Sequence, residues 1–102
     1  MSIIALTDSN FAQEISSGIV LVDFYSETCG PCKMMEPTIE NLSKHEGFKV
    51  CKANVEECQQ QTGIYHVKSL PTLYILKDGI IQHQFIGIQD YSMLLSLLQS
   101  MS

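Results

Sequence analysis

The chain has 102 residues, 45% of them hydrophobic and 17% charged, a balance that suits one compact domain spanning 1–102 and leaves no room for two. Eleven acids face six basic residues, all of them lysine, for a net charge of −5. That charge excludes the basic footprint of a nucleic-acid binder and opposes anionic membranes.

The opening "MSIIALTDSNFAQEI" has no basic start and no long apolar segment, so neither a secretory leader nor a membrane span is visible and the expected compartment is the cytoplasm. Residues 1–7 read as a short strand. "DSN" at 8–10 offers helix-capping side chains ahead of Phe11 and Ile15, which share a face at helical spacing, and Gly18 ends that helix. "IVLVDFY" at 19–25 is nearly continuous in β-branched and aromatic residues, the pattern of a strand covered on both faces.

Met35, Ile39 and Leu42 recur at helical spacing and predict a helix over about 30–45, terminated by Gly47 and bent at Pro37, whose ring removes one backbone hydrogen bond. "FKVCKANV" at 48–55 predicts a third strand, and "EECQQQTGIYH" a short polar helix or helical turn. "TLYILKDGIIQHQFIG" reads as a hairpin turning at Asp78-Gly79. Tyr91, Leu94, Leu95 and Leu98 then share one face of a last helix. Early alternation of strands and helices predicts parallel pairing, while the final hairpin is antiparallel; the result is a mixed α/β sheet with helices on both faces.

Chemistry concentrates in "VLVDFYSETCGPCKMMEP", residues 20–37. Cys29 falls where a buried strand ends and a helix starts, and the free N–H groups and positive dipole end of a helix favour a thiolate there. Cys29 is thus the candidate nucleophile. Cys32, one turn on, can reach it to close a local disulfide and to resolve a mixed disulfide with a substrate. Pro31 suits a first helical turn, and Gly30 lets the backbone approach the sulfurs and a substrate chain closely.

The alternative for this pair is half of a zinc site, which needs two further ligands. His45, His66, His83, Cys51 and Cys58 supply no second Cys-x-x-Cys or paired-His spacing. Asp23 is unusual among Val20, Leu21, Val22 and Phe24. Burial there raises a carboxyl pKa and suits it to proton exchange with a thiol, whereas a position turned to solvent, or one satisfied by hydrogen bonds, is the plainer reading. Lys52 reads either as support for Asp23 or as an exposed strand lysine, and Pro71 as a plain turn ahead of a strand.

"VDFYSETCGPCK" followed by "KSLPTLYILKDG" resembles the thioredoxin family, collinearly over almost the whole chain. The resemblance implies the thioredoxin fold, a mixed four- to five-stranded sheet flanked by four helices. It also implies a protein disulfide reductase and dithiol electron carrier that serves cell redox homeostasis. In that frame Cys29 attacks and Cys32 resolves, Gly30 and Pro31 tune the redox potential, and Asp23 is the buried aspartate with Lys52 as its neighbour. Pro71 matches a proline whose preceding bond is cis, so that Leu70-Pro71 faces the cysteines and offers backbone groups to an extended client strand. Thr28 and Gly87 fall on the same substrate-facing rim, and Pro37 at the helix kink.

The implied protein binds no cofactor and no metal, and draws electrons from NADPH through a flavoprotein thioredoxin reductase. Its partners are that reductase and disulfide-containing client proteins; it is expected to be a monomer that touches neither nucleic acid nor membrane. A disulfide isomerase or oxidase on the same fold, and a binding scaffold independent of redox chemistry, are the rival functions. The chain departs from the family pattern at Thr28, where a tryptophan usually stands; it has no tryptophan at all. That change removes a large apolar plate from the rim and bears on client choice, reductase docking and redox poise.

Cys51 reads as a buried structural cysteine. Cys58 sits in a polar segment beside Glu56 and Glu57, whose charges disfavour its thiolate, and a regulatory oxidation site is the rival reading there. Met34 and Met35 read as packing or as an apolar rim around the thiols, and the three histidines as unremarkable.

Overall fold

A computed structural model describes residues 2–102. In chain order the elements are β1 (Ile4–Leu6), α1 (Phe11–Glu14), β2 (Ile19–Tyr25), α2 (Gly30–Leu42), β3 (Lys49–Asn54), α3 (Gln59–Ile64), β4 (Thr72–Lys77), β5 (Ile80–Ile86) and α4 (Tyr91–Met101). The strands form one sheet in the order β1-β3-β2-β4-β5. β3 lies parallel to both β1 and β2, and β4 is antiparallel to β2 and β5.

β2 is the centre of this sheet, and every residue from Ile19 to Phe24 is buried. Its side chains alternate between two cores, as the two-residue period of a strand requires. Val20, Val22 and Phe24 meet Phe11 and Ile15, at α1, and Tyr74 on one face, with Tyr65 packed against them. Leu21 and Ile19 meet Met35, Ile39 and Leu42 of α2 and Leu94 and Leu98 of α4 on the other. Asp23 is in step with Leu21 and therefore belongs to the α2 face. Each fully buried Leu, Ile or Phe here is worth about 1.5–3 kcal/mol of apolar burial, which is what holds α2 against the sheet.

The hairpin turn matches expectation. Asp78 and Gly79 both have positive φ, 52° and 82°, the conformation whose twist suits a two-residue connection. Asp78 also braces the start of β2: its Oδ1 accepts from the Gly18 N–H at 2.8 Å, and its own N–H donates to the Gly18 carbonyl at 2.9 Å.

Three local readings change. α2 stops at Leu42 rather than near residue 45, because the N–H groups of Lys44 and His45 turn to the carbonyls of Asn41 and Leu42, three residues back, at 3.3 and 3.2 Å. Gly47, with φ of 98°, sits in the following turn instead of capping the helix. "DSN" does not cap α1 through its side chains: Asn10 Oδ1 accepts from the Thr7 N–H at 2.7 Å, while the Asp8 carboxylate reaches across the fold to the N–H groups of Gln60 and Gln61 in the first turn of α3, at 3.3 and 3.2 Å. Third, His45 is engaged in tertiary structure, its Nε2 lying 2.9 Å from the Tyr91 hydroxyl and so joining the end of α2 to α4. Among the described residues no helix is long and apolar enough to cross a membrane.

Candidate active site

β2 ends at Tyr25, and after four connecting residues the chain enters α2 at Gly30. The same end of the sheet gathers two other segments. Thr72, the first residue of β4, pairs with Phe24 on one side and with Ile86, the last residue of β5, on the other. Pro71 and Gly87, one residue outside those strands, are joined by a 2.8 Å hydrogen bond from the Gly87 N–H to the Pro71 carbonyl. The Leu70-Pro71 peptide is cis, and Gly87 has a φ of 89°, which only glycine adopts readily. The loop that follows is fastened to α2, for the Gln89 N–H donates to Met35 Sδ at 3.3 Å.

Cys29 is the N-cap of α2, with extended backbone (φ −87°, ψ 113°), and its Sγ accepts from the Cys32 N–H at 3.1 Å. A sulfur in that position is stabilised as an anion by an otherwise unpaired helix N–H and by the helix dipole. Cys29 and Cys32 are joined as a disulfide, their Cα atoms 5.2 Å apart. Their accessibility differs: Cys29 is half-buried and Cys32 is 4% exposed, so a partner meets Cys29 first.

Pro31 occupies the first turn of α2. Gly30 neither has a positive φ nor any atom within 4 Å of where a Cβ would stand. Apart from its chain neighbours and its own helix backbone, the space above Gly30 is open.

Asp23 is 2% exposed, and its Oδ1 makes no hydrogen bond. The solvent-facing reading does not hold, and Oδ1 has no protein hydrogen-bond partner. Burial pushes its carboxyl up to about 6; Lys52 pulls in the other direction, and Glu36 adds to the rise. Lys52 is the register partner of Asp23 across the β2–β3 ladder. Its ammonium nevertheless lies over the Tyr25 ring, 4.2 Å from the centroid. The ion pair found among the described residues is a different one, Lys49 with Glu14 at 3.1 Å.

The other thiols are inert by burial. Cys51 is fully buried and free, and burial pushes it up to about 12, with Lys49 pulling the other way and Glu14 adding to the rise. Cys58 also points inward despite its polar neighbours, its Sγ donating to the Leu6 carbonyl at 3.1 Å; burial first, then Asp8 and Glu57, push it up to about 11. Glu56 plays no part in that shift. Among the described residues no group of three or more His, Cys, Asp or Glu side chains could hold a metal.

Sequence reasoning passed over the apolar rim contributed by the β5–α4 segment. Ile86 and Ile88 are 59% and 51% exposed, and Met34, beside the cysteines on α2, is 69% exposed. A groove of about 500 Å³ is lined by Phe11, Ile64, Tyr65, Tyr74 and Ile81 and by neither Cys29 nor Cys32.

Comparison with known proteins accords with this geometry. The family model described as Thioredoxin matches residues 2–100. The thioredoxin of Bacillus subtilis is 41% identical over 100 residues, covering 96% of both chains. That of Pseudomonas aeruginosa is 37% identical over 102 residues, covering 96% of this chain and 94% of its own. Among solved structures, a mutant thioredoxin from Halobacterium salinarum superposes with a TM-score of 0.87 at 32% identity, covering 95% of this chain and 88% of that one. The chain therefore belongs to the thioredoxin family, and its Cys29–Cys32 pair is the redox couple of a protein-disulfide oxidoreductase.

Proposed function

We propose that the chain is a single-domain dithiol carrier, residues 1–102, in which Cys29 is the attacking thiolate and Cys32 the resolving thiol. The observation that carries these roles is the half-buried Cys29 sulfur at the N-cap of α2, accepting from the Cys32 N–H at 3.1 Å, with Cys32 itself buried behind it.

The Cys29 thiolate attacks one sulfur of a client disulfide, forming a mixed disulfide and expelling the other client sulfur as a thiolate that takes up a proton. Cys32, once deprotonated, attacks Cys29 Sγ, closes the Cys29–Cys32 disulfide and releases the second client thiolate. Two electrons pass to the client. Asp23, an unpaired carboxyl whose pKa near 6 lies close to working pH, accepts the Cys32 proton, and Lys52 biases that carboxyl electrostatically.

The edge formed by Thr28, the Leu70-Pro71 peptide and Gly87 receives an extended client backbone, and Gly30 and Pro31 set the potential of the pair. Thr28 is exposed, so the rim beside Cys29 is open where a tryptophan would cover it. The oxidised carrier is recycled by a flavoprotein thioredoxin reductase drawing on NADPH, with no cofactor on the chain itself. Two buried free thiols suit a monomer working in a reducing cytoplasm.

Insulin reduction coupled to such a reductase tests the assignment. Wild type turns over, Cys29→Ser is inactive, and Cys32→Ser accumulates client adducts on Cys29. Adducts on Cys32 in the Cys29→Ser protein would reverse the roles, and a strongly oxidising potential would favour an oxidase or isomerase. Thr28→Trp is expected to change KM for client or reductase and leave the thiol exchange intact.

A further inference from the structure

Asp23, Tyr25 and Lys52 form a three-residue arrangement on the α2 face of the sheet. Asp23 and Tyr25 are two apart on β2 and so share a face, while Lys52 is directly opposite Asp23 on the neighbouring parallel strand. The nearest partner that register offers the Lys52 ammonium is the Asp23 carboxylate. No N···O contact of 4.0 Å or less joins them. Instead the ammonium stands 4.2 Å from the centroid of the Tyr25 ring, and Asp23 Oδ1 is left without a hydrogen bond.

Energetics account for the choice. Pairing with a carboxylate that is 2% exposed would strip the ammonium of water, and taking an ion out of water carries a large desolvation cost. Over the ring the half-buried Lys52 keeps part of its hydration and gains a cation–π attraction from the aromatic face. The ring thus offers the lysine a nearby resting place that demands less desolvation.

We propose that Tyr25 is a positioning residue: its ring holds the Lys52 ammonium off the Asp23 carboxylate, so that a buried acid stays unpaired beside the redox helix. This rests on the reading of Asp23 as the proton acceptor for Cys32. The consequence is that the identity of residue 25 sets the pH at which Asp23 takes up its proton. Other groups act on Asp23 as well. Glu36 of α2 raises its proton affinity, β4 presents only Leu73 opposite it, and the Cys32 thiol joins the set when the disulfide is reduced. Glu27 and Glu57 face the Tyr25 side of the arrangement.

The Asp23 carboxyl carbon is followed by NMR from pH 4 to 9 in oxidised and reduced protein. Oxidised wild type is expected to titrate near pH 6. In Tyr25→Leu the lysine collapses onto Asp23 and the midpoint falls by about one pH unit, whereas Tyr25→Phe and Tyr25→Trp, which keep an aromatic face, stay at the wild-type value. In a Lys52→Met background, Tyr25→Leu has no further effect. A midpoint unmoved or raised by Tyr25→Leu, or the same change with and without Lys52, overturns the proposal. Tyr25→Met serves as a second test should Tyr25→Leu fail to fold. Insulin turnover measured across the same pH range separates the two readings: a moving NMR midpoint with an unmoved rate profile removes Asp23 from proton transfer and leaves the role of Tyr25 standing.

Discussion

The backbone N–H of Gln89 donates to Met35 Sδ at 3.3 Å, tying the loop after β5 to the helix that Cys29 opens. Met35 is 1% exposed, so its sulfur is the acceptor that keeps this amide from being left unpaired. Met35→Leu nearly conserves volume and is expected to cost under about 1.5 kcal/mol of stability. Loss of a bond worth about 1 kcal/mol should speed hydrogen exchange at the Gln89 amide roughly fivefold. Unchanged protection there would mean that other contacts hold the loop.

Asp23 should make the protein less stable as pH rises. Its carboxyl titrates near 3.8 when unfolded and is raised to about 6 when folded, so the folded state holds the proton more tightly. Below the unfolded value both states are protonated and no penalty exists; through the window from about 4 to 6 stability falls, and above it the full penalty remains. A rise of this size corresponds to about 3 kcal/mol at neutral pH. Asp23→Asn should therefore stabilise the protein by up to that amount at pH 7 and by little at pH 3.5, as read by urea unfolding. Equal gains at both pH values would show that the carboxyl is not titrating in the core.

Gly30→Ala separates folding from exchange. A Cβ at this position meets nothing within 4 Å, and glycine is less favourable than alanine in helical backbone by about 0.5–1 kcal/mol. Thermal stability should hold or rise. Client reduction should fall, because the new methyl occupies space through which a client chain approaches Cys29. A variant that is both more stable and fully active would show that the space is not used.

Asp8 caps α3 from the loop after β1, and α3 has no side-chain cap of its own. Asp8→Ala is expected to cost about 1 kcal/mol, as loss of a helix cap does, and to raise exchange at the Gln60 and Gln61 amides. Asp8→Asn keeps an acceptor oxygen and should restore most of that stability. If Asn is no better than Ala, the contribution comes from charge rather than from hydrogen bonding.

Much of the sheet was legible because its signals are local. The unbroken apolar run from Ile19 to Phe24 marks the central strand, Asp78-Gly79 marks the hairpin, and Met35, Ile39 and Leu42 mark the buried stripe of α2. Asp23 was already conspicuous, since a carboxylate in the middle of such a run has few ways to reach water. What stayed hidden depends on partners distant in sequence. Nothing near "EECQQQ" indicates that the Leu6 carbonyl waits for the Cys58 thiol, or that Asp8 will serve a helix that begins at Gln59. The placement of Lys52 could not be read either, because register puts it opposite Asp23 and only side-chain packing decides between that carboxylate and the Tyr25 ring. The end of α2 was misjudged for a related reason: Gly47 is a valid stop signal, but the chain had already tightened at Lys44 and His45.

Cys51 and Cys58, sealed in the same core cluster beside β1, give the folded chain a built-in clock. An alkylating reagent can reach them only when the sheet opens, so the rate at which they are labelled measures how often the native state breathes. The redox pair records what the protein does to its clients; the two silent thiols record how intact the protein is while doing it.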